Sequence, residues 1–328
     1  MAKRDGSVSL LRLIGMLCVL LCHVSSFLDM GIAAHVFYVG VPLFMLISGY
    51  LYGDKPIHAP SFLRKRYVKL TVPAVAWVLV MALCGLLLHA PDMHYAFIPM
   101  HLLNLEGLWT VFDFVPNWQL FGGTGNLWFF SILWLAYLSM LAVKKTEARF
   151  TWTKRGYVIF LLASAAAVAL LGLVHVHVQH IWIFFVGYGY KKAGIHMRPK
   201  LWLLCAALTA VFTAVTLLLY VKAYKSLPYV TANTFLIESL AFLVFASSRL
   251  AYRRMEQGID RLAEKRAIRH ADAVSFYVYI VHSAFLFGAF SVDNWVASRA
   301  LQLLLFAVST VCAAELLRLC MKPLQKFA

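Results

Sequence analysis

The sequence predicts an all-α integral membrane protein, a polytopic bundle of about ten transmembrane helices with both termini cytoplasmic. Three observations predict it. Of the 328 residues, 62% are hydrophobic and 13% are charged, with a mean hydropathy of +0.77. Apolar stretches near the length that crosses a hydrocarbon core of ~30 Å recur from end to end. The basic residues, finally, fall on alternate connections. With the N-terminus inside, all 30 Lys and Arg residues except Lys222, Lys225 and Arg299 lie on cytoplasmic pieces, the bias that orients membrane proteins.

Taken in order, the stretches are 8–28, 32–52, 69–90, 125–143, 157–175, 178–192, 201–221, 229–250, 273–292 and 299–321. The first is long enough to span and no A-x-A-like cleavage site follows it, so it should remain as a helix. The sixth is short and Gly-rich, and its limits are the loosest. The outer connection 91–125 holds Asp92, Glu106 and Asp113, no Lys or Arg, and Trp109, Phe112, Phe114, Trp118 and Phe121. Those aromatics suit an interfacial belt or, alternatively, a flat surface for a sugar ring. The inner segment 253–270 reads as an amphipathic helix on the anionic leaflet. A single membrane domain over 1–328 is expected, with no soluble domain appended.

The net charge of +16 does not predict a nucleic-acid partner, because its distribution already follows membrane topology. Cys18, Cys22, Cys84, Cys205, Cys312 and Cys320 lie within the expected spans and read as small apolar packing residues without zinc spacing. There is no Walker loop and no dinucleotide fingerprint, so nucleotide hydrolysis is not expected. His175, His177 and His180 form an H-x-H-x-x-H cluster, but no carboxylate or Cys neighbour supports a metal; none is expected.

Arg12 and His23 carry the most specific signal. Eleven helical steps return to within about 20° of the starting direction, so both side chains share one face, about 16.5 Å apart along the axis. Ionisable groups inside a membrane usually face a wet cavity or a partner. A cation near one surface with a base deeper on the same face suits a long anionic ligand reaching inward. The plain alternative is that Arg12 snorkels to the headgroups and His23 is a satisfied interior histidine. Glu238, inside the eighth stretch, also needs a cavity or a cation or histidine from another span. Glu315 and Arg318 are spaced to pair with each other.

Four further stretches stand in order: R-x10-H from Arg12 to His23, GVPLFMLISGYL from Gly40 to Leu51, FLRKRYVKLTVP from Phe62 to Pro73, and SFYVYIVH from Ser275 to His282. GNLWFF, Gly125 to Phe130, supports them. In this order the chain resembles the type 3 acyltransferase family of bacterial membrane proteins. The second stretch and GNLWFF look particularly like the branch that acetylates enterobacterial common antigen. The resemblance implies that Arg12 and His23 are the family's first-helix pair, His23 being the proposed catalytic residue. It places the serine-glycine turn at Ser48 and Gly49, and the tyrosine-histidine element at Tyr279 and His282. The third-helix basic pair falls on Arg66 and Lys69, where lysine stands in place of the commoner arginine and loses the bidentate fork.

The resemblance further implies a multi-pass protein of the bacterial inner membrane that moves an acyl group, acetyl by family habit, from cytoplasmic acyl-CoA to a hydroxyl of a cell-surface glycan or its lipid-linked precursor. No permanently bound cofactor is implied; acetyl-CoA is a substrate. Arg12, Arg64, Arg66 and Lys69 would hold the nucleotide end. The pantetheine arm is on the order of the ~16.5 Å rise from Arg12 to His23. His23 would act as general base or as acyl carrier, with Ser48, Tyr279 and Asn126 as candidate oxyanion donors. The alternative function is a transporter or exporter of a glycan or acyl intermediate, which would also need intramembrane polar groups such as Glu238 and His282.

Overall fold

The computed structural model describes residues 5–106, 120–150, 152–171, 179–224 and 226–327. Their regular structure is entirely helical: α1 (Gly6–Phe27), α2 (Gly31–Phe37), α3 (Gly40–Tyr52), α4 (Ala59–Arg66), α5 (Val72–Leu87), α6 (Ile98–Leu102), α7 (Trp128–Arg149), α8 (Lys154–Leu171), α9 (Gln179–Lys192), α10 (Pro199–Ala223), α11 (Leu227–Glu264), α12 (Arg266–Val281) and α13 (Arg299–Met321). Asp5 opens α1 by accepting the Ser7 N–H at 3.1 Å, as an acidic cap does. Ser226 does the same for α11, accepting from the Tyr229 N–H.

Seven described helical segments are long and apolar enough to cross a membrane: Gly6–Phe27, Ala34–Tyr52, Ala59–Leu87, Gly122–Arg149, Pro199–Ala223, Leu227–Glu264 and Arg299–Met321. The other three expected spans differ for separate reasons. The stretch 157–175 runs past Leu171 into residues outside the description. The stretch 178–192 forms α9, whose 14 residues reach only about 21 Å. The stretch 273–292 is not one helix, because α12 ends at Val281 and a 3-10 turn, His282–Phe285, replaces it.

The third span is continuous through a π turn, Tyr67–Thr71, in which the Val72 N–H bonds the Tyr67 carbonyl. Pro73 follows at the start of α5. Proline lacks the N–H that would bond one turn back, and the widened turn absorbs that loss. The buried Thr71 hydroxyl braces it, accepting from Asn104 Nδ2 at 3.1 Å and Trp134 Nε1 at 3.0 Å.

The segment 253–270 is not one surface helix. It comprises the end of α11, bent at Met255, a break at Lys265, and the first turn of α12. Within it Asp260 is buried and accepts both the Gly6 N–H and the Tyr252 hydroxyl at 3.1 Å. Those bonds tie the segment to the start of α1, while most of its other residues are exposed.

The chain divides into two compact units. The first comprises Met1–Val19, Val36–Pro56 and Leu135–Asp272, and its centre is α3 against α9. A Cβ at Gly49 would overlap the Phe184 carbonyl, and one at Gly187 would overlap the Leu46 carbonyl. The two backbones therefore touch, which only small residues permit in membranes. On α7, Glu147 accepts from Tyr157 at 2.6 Å, from Tyr188 at 2.8 and 2.9 Å, and from Lys192 at 2.9 Å.

The second unit comprises Leu20–His35, Ile57–Trp134 and Ala273–Ala328. Phe27, Leu286, Val292 and Phe306 form an apolar cluster there. A second 3-10 turn, Gly122–Leu127, lies against the one at His282–Phe285. At Gly123 a Cβ would stand 2.6 Å from the Ala284 Cα, so this approach also depends on glycine.

Candidate functional site

The structure puts Arg12 and Ser48 in the first unit, and His23, Arg64, Arg66, Lys69, Tyr279 and His282 in the second. The helix α1 is unbroken from Gly6 to Phe27, so Arg12 and His23 ride one helix as the spacing predicts.

The second unit brings His23, Tyr279 and His282 together. The His23 and His282 rings meet edge to face with centroids 4.9 Å apart. Phe287 closes another side of His23 at 5.8 Å, and the Tyr279 ring lies 5.8 Å from His282. His282 is 0% exposed. Its Nδ1 is 2.8 Å from the Tyr279 carbonyl and 3.1 Å from the Val278 carbonyl. Carbonyls only accept, so Nδ1 carries the proton and Nε2 keeps its lone pair. That Nε2 is buried without a partner among the described residues. The half-buried His23 ring makes no hydrogen bond with any described residue.

Asn126 and Tyr279 fix each other. Asn126 Nδ2 donates to the Tyr279 carbonyl at 2.6 Å, and the Tyr279 hydroxyl donates to the Asn126 carbonyl at 2.7 Å. The phenol's one proton is thus directed at backbone. Phe129 and Phe130 pack edge-on against the Tyr279 ring at 5.3 and 5.8 Å, which is what the GNLWFF segment contributes. Asn126 Oδ1 and Trp77 Nε1 are also buried without partners among the described residues. Buried polar atoms in native folds are nearly always paired, so orphaned ones point to water or a ligand.

Arg12 is already engaged. Its Nε and Nη2 grip the two oxygens of Asp272 at 2.9 and 2.7 Å, and the acid's side chain is only 3% exposed. Arg12 also lines a cavity of about 650 Å³ together with Ser9, Tyr50 and Lys55. The Ser48 hydroxyl has no partner among the described residues, while Gly49 beside it serves the α3–α9 contact. Arg64 is exposed on α4, the Arg66 guanidinium stands 5.5 Å from the Phe62 ring, and Lys69 lies on the π turn.

Glu238 finds its partner in His180, with Oε1 and Nδ1 at 3.0 Å. Glu315 and Arg318 pair at 2.8 Å. Phe121 is 1% exposed, so it is neither belt nor sugar platform. Trp109, Phe112, Asp113, Phe114, Trp118, His175 and His177 lie outside the described residues. Among those described, no three His, Cys, Asp or Glu side chains gather as metal ligands.

Two arrangements were not read from sequence. Asp272 stands 260 positions from Arg12, and no periodicity joins them. The buried pair His101–Glu106, at 2.7 Å, accepts the Leu120 N–H at His101 Nε2 and the Ser131 hydroxyl at Glu106. Its only sequence signal was an acid and a histidine in a connection without Lys or Arg.

Residues 5–318 match the model of one protein family, described as an acyltransferase domain. No curated protein and no solved structure matches the chain.

Proposed function

The chain belongs to the type 3 acyltransferase family, and from that premise we propose that it is an O-acyltransferase of the bacterial inner membrane. In this reading ten spans place both termini in the cytoplasm, as the charge distribution favours. The donor is cytoplasmic acyl-CoA, with acetyl as the acyl group. The acceptor is a hydroxyl of a cell-surface glycan or its lipid-linked precursor.

The observation that carries the catalytic part is the His23–His282 contact: two imidazoles at 4.9 Å, one with a buried lone pair and no partner among the described residues. His23 takes the proton from the acceptor hydroxyl as that oxygen attacks the thioester carbon. The tetrahedral oxyanion collapses, the C–S bond breaks, and the CoA thiolate receives the proton from His23. In the acyl-carrier variant, the neutral His23 ring attacks the thioester carbon and expels the CoA thiolate, and the acceptor hydroxyl then attacks the acyl-imidazolium, freeing the ring while the hydroxyl's proton passes to the thiolate. His282 holds the His23 ring, and Tyr279 with Asn126 positions His282. Ser48 stands as an oxyanion donor because its hydroxyl is uncommitted. Arg64, Arg66 and Lys69 hold donor phosphates, and Arg12, oriented by Asp272, is a further donor contact.

The test is label transfer by the purified protein in vesicles, supplied with labelled acetyl-CoA and glycolipid extract. Label fixed as a base-labile ester supports the reading. Glycan movement without acetyl-CoA consumption would contradict it and favour an exporter.

A further inference from the structure

The first unit contains a second cavity, of about 600 Å³, which none of these roles uses. Four cations line it, Lys191, Arg198, Arg249 and Arg253, against one acid, Asp54. Two of the four are spoken for. Lys191 pairs with Asp54 at 3.2 Å, and Arg249 Nη1 binds Asp5 at 2.6 Å and the Ser7 hydroxyl at 2.7 Å. The other two are not. Arg253 gives one long bond, 3.4 Å, to the Met197 carbonyl, and Arg198 has no partner among the described residues.

The cations are also held in place. Lys191 and Arg249 each stand 5.2 Å from the centre of the Tyr50 ring, and Arg249 stands 5.0 Å from that of Tyr252. Topology alone explains basic residues on an inner connection; it does not gather them around a walled cavity stacked on tyrosines. Like charges held so close raise the local potential and concentrate anions. Planar guanidinium groups match phosphate oxygens in pairs. The volume lies within the usual range for small-ligand sites. The cavity beside Arg12 shares Tyr50, Asp54 and Lys191 with this one, so the two adjoin, and a long ligand anchored at Arg198 and Arg253 would extend toward Arg12.

We infer that this cavity is a phosphate-ester site and that its occupant is the nucleotide end of the acyl-CoA donor, contacted by Arg198 and Arg253. The inference rests on the acyl-CoA reading above and concerns the first unit's contacts to that donor alone. An anionic lipid headgroup offers the same phosphate chemistry, but lacks a long polar arm to extend toward the adjoining cavity.

Both arginines are exposed, so Arg198→Ala with Arg253→Ala should leave folding intact. Full-length protein in phosphatidylcholine nanodiscs is titrated with CoA and with adenosine 3′,5′-bisphosphate. Affinity for both should fall about tenfold in the double variant, a modest figure for two charge-assisted contacts open to solvent. The preference for acetyl-CoA over S-acetylpantetheine, which lacks the nucleotide, should shrink by a similar factor. Lys200→Ala with Arg254→Ala removes equal charge outside the cavity, and should change affinity less than twofold. Unchanged CoA affinity in the first variant, or equal loss in both, overturns the site. Weaker retention of phosphatidylglycerol with unaltered CoA binding makes the occupant a lipid and overturns the nucleotide assignment. A wild-type protein that neither binds CoA nor transfers acetyl fails the donor reading itself, a distinct result.

Discussion

Glu147 in the first unit and His282 in the second are both shielded polar groups, and the fold treats them oppositely. Each oxygen of Glu147 is matched, by two tyrosine hydroxyls and a lysine. Among the described residues His282 keeps a bare Nε2, and Asn126 in the same unit keeps a bare Oδ1. The backbone follows the same division. Around Glu147 the helices are regular and α3 touches α9 through glycines, whereas His282 sits where a helix gives way to a 3-10 turn. A fully satisfied network specifies architecture; buried acceptors left open are where a hydroxyl or water is expected. The contrast separates scaffold from site without reference to any motif.

Breaking the scaffold side should have the largest effect on stability. Gly49→Val drives a branched side chain into the Phe184 carbonyl. Overpacking of this kind costs about 3 kcal/mol or more where backbone cannot move aside. Loss of the monodisperse protein in detergent, or a large fall in Tm, checks it; a variant with wild-type Tm would mean that α3 and α9 are not in backbone contact.

Asp272→Asn should cost less. It removes the charge that answers Arg12 while keeping the shape, and Arg12 is partly solvated, its side chain being 36% exposed. A loss of about 1–3 kcal/mol follows for a hydrogen bond between charged groups. Chemical denaturation reads it, and restored stability on adding Arg12→Gln would show that the two act as one unit.

Tyr279→Phe is the mildest of the three. It deletes the bond to the Asn126 carbonyl and should lower stability by about 1 kcal/mol, with turnover falling further because His282 is held through the same turn. If turnover falls only in proportion to folded protein, Tyr279 is scaffold and belongs with Glu147.

Much of this was legible in the sequence where periodicity governs. The shared helix of Arg12 and His23, the fourth span opening at GNLWFF and the pairing of Glu315 with Arg318 all follow from local spacing. Hydropathy does not report that the 273–292 stretch stops being an α-helix at His282, because that depends on a ring bonding carbonyls in its own chain. Nor does it foresee that Asp260 ties the 253–270 segment to Gly6, since the bond spans 254 positions. The small pair Ser48-Gly49 was visible, but its partner Gly187 was not, because close packing is a property of two helices. The cations at Arg198 and Arg253 were read as topology, and only the cavity gives them a possible ligand.

The central claim is that His23 performs chemistry while the basic residues hold the donor. It is tested most directly by measuring CoA binding and acetyl transfer separately for His23→Ala in vesicles. Transfer should fall by about 10²–10⁴-fold, the range for loss of a general base, with CoA affinity and Tm near those of the wild type. Near-normal turnover in a folded, CoA-binding His23→Ala protein would contradict the account.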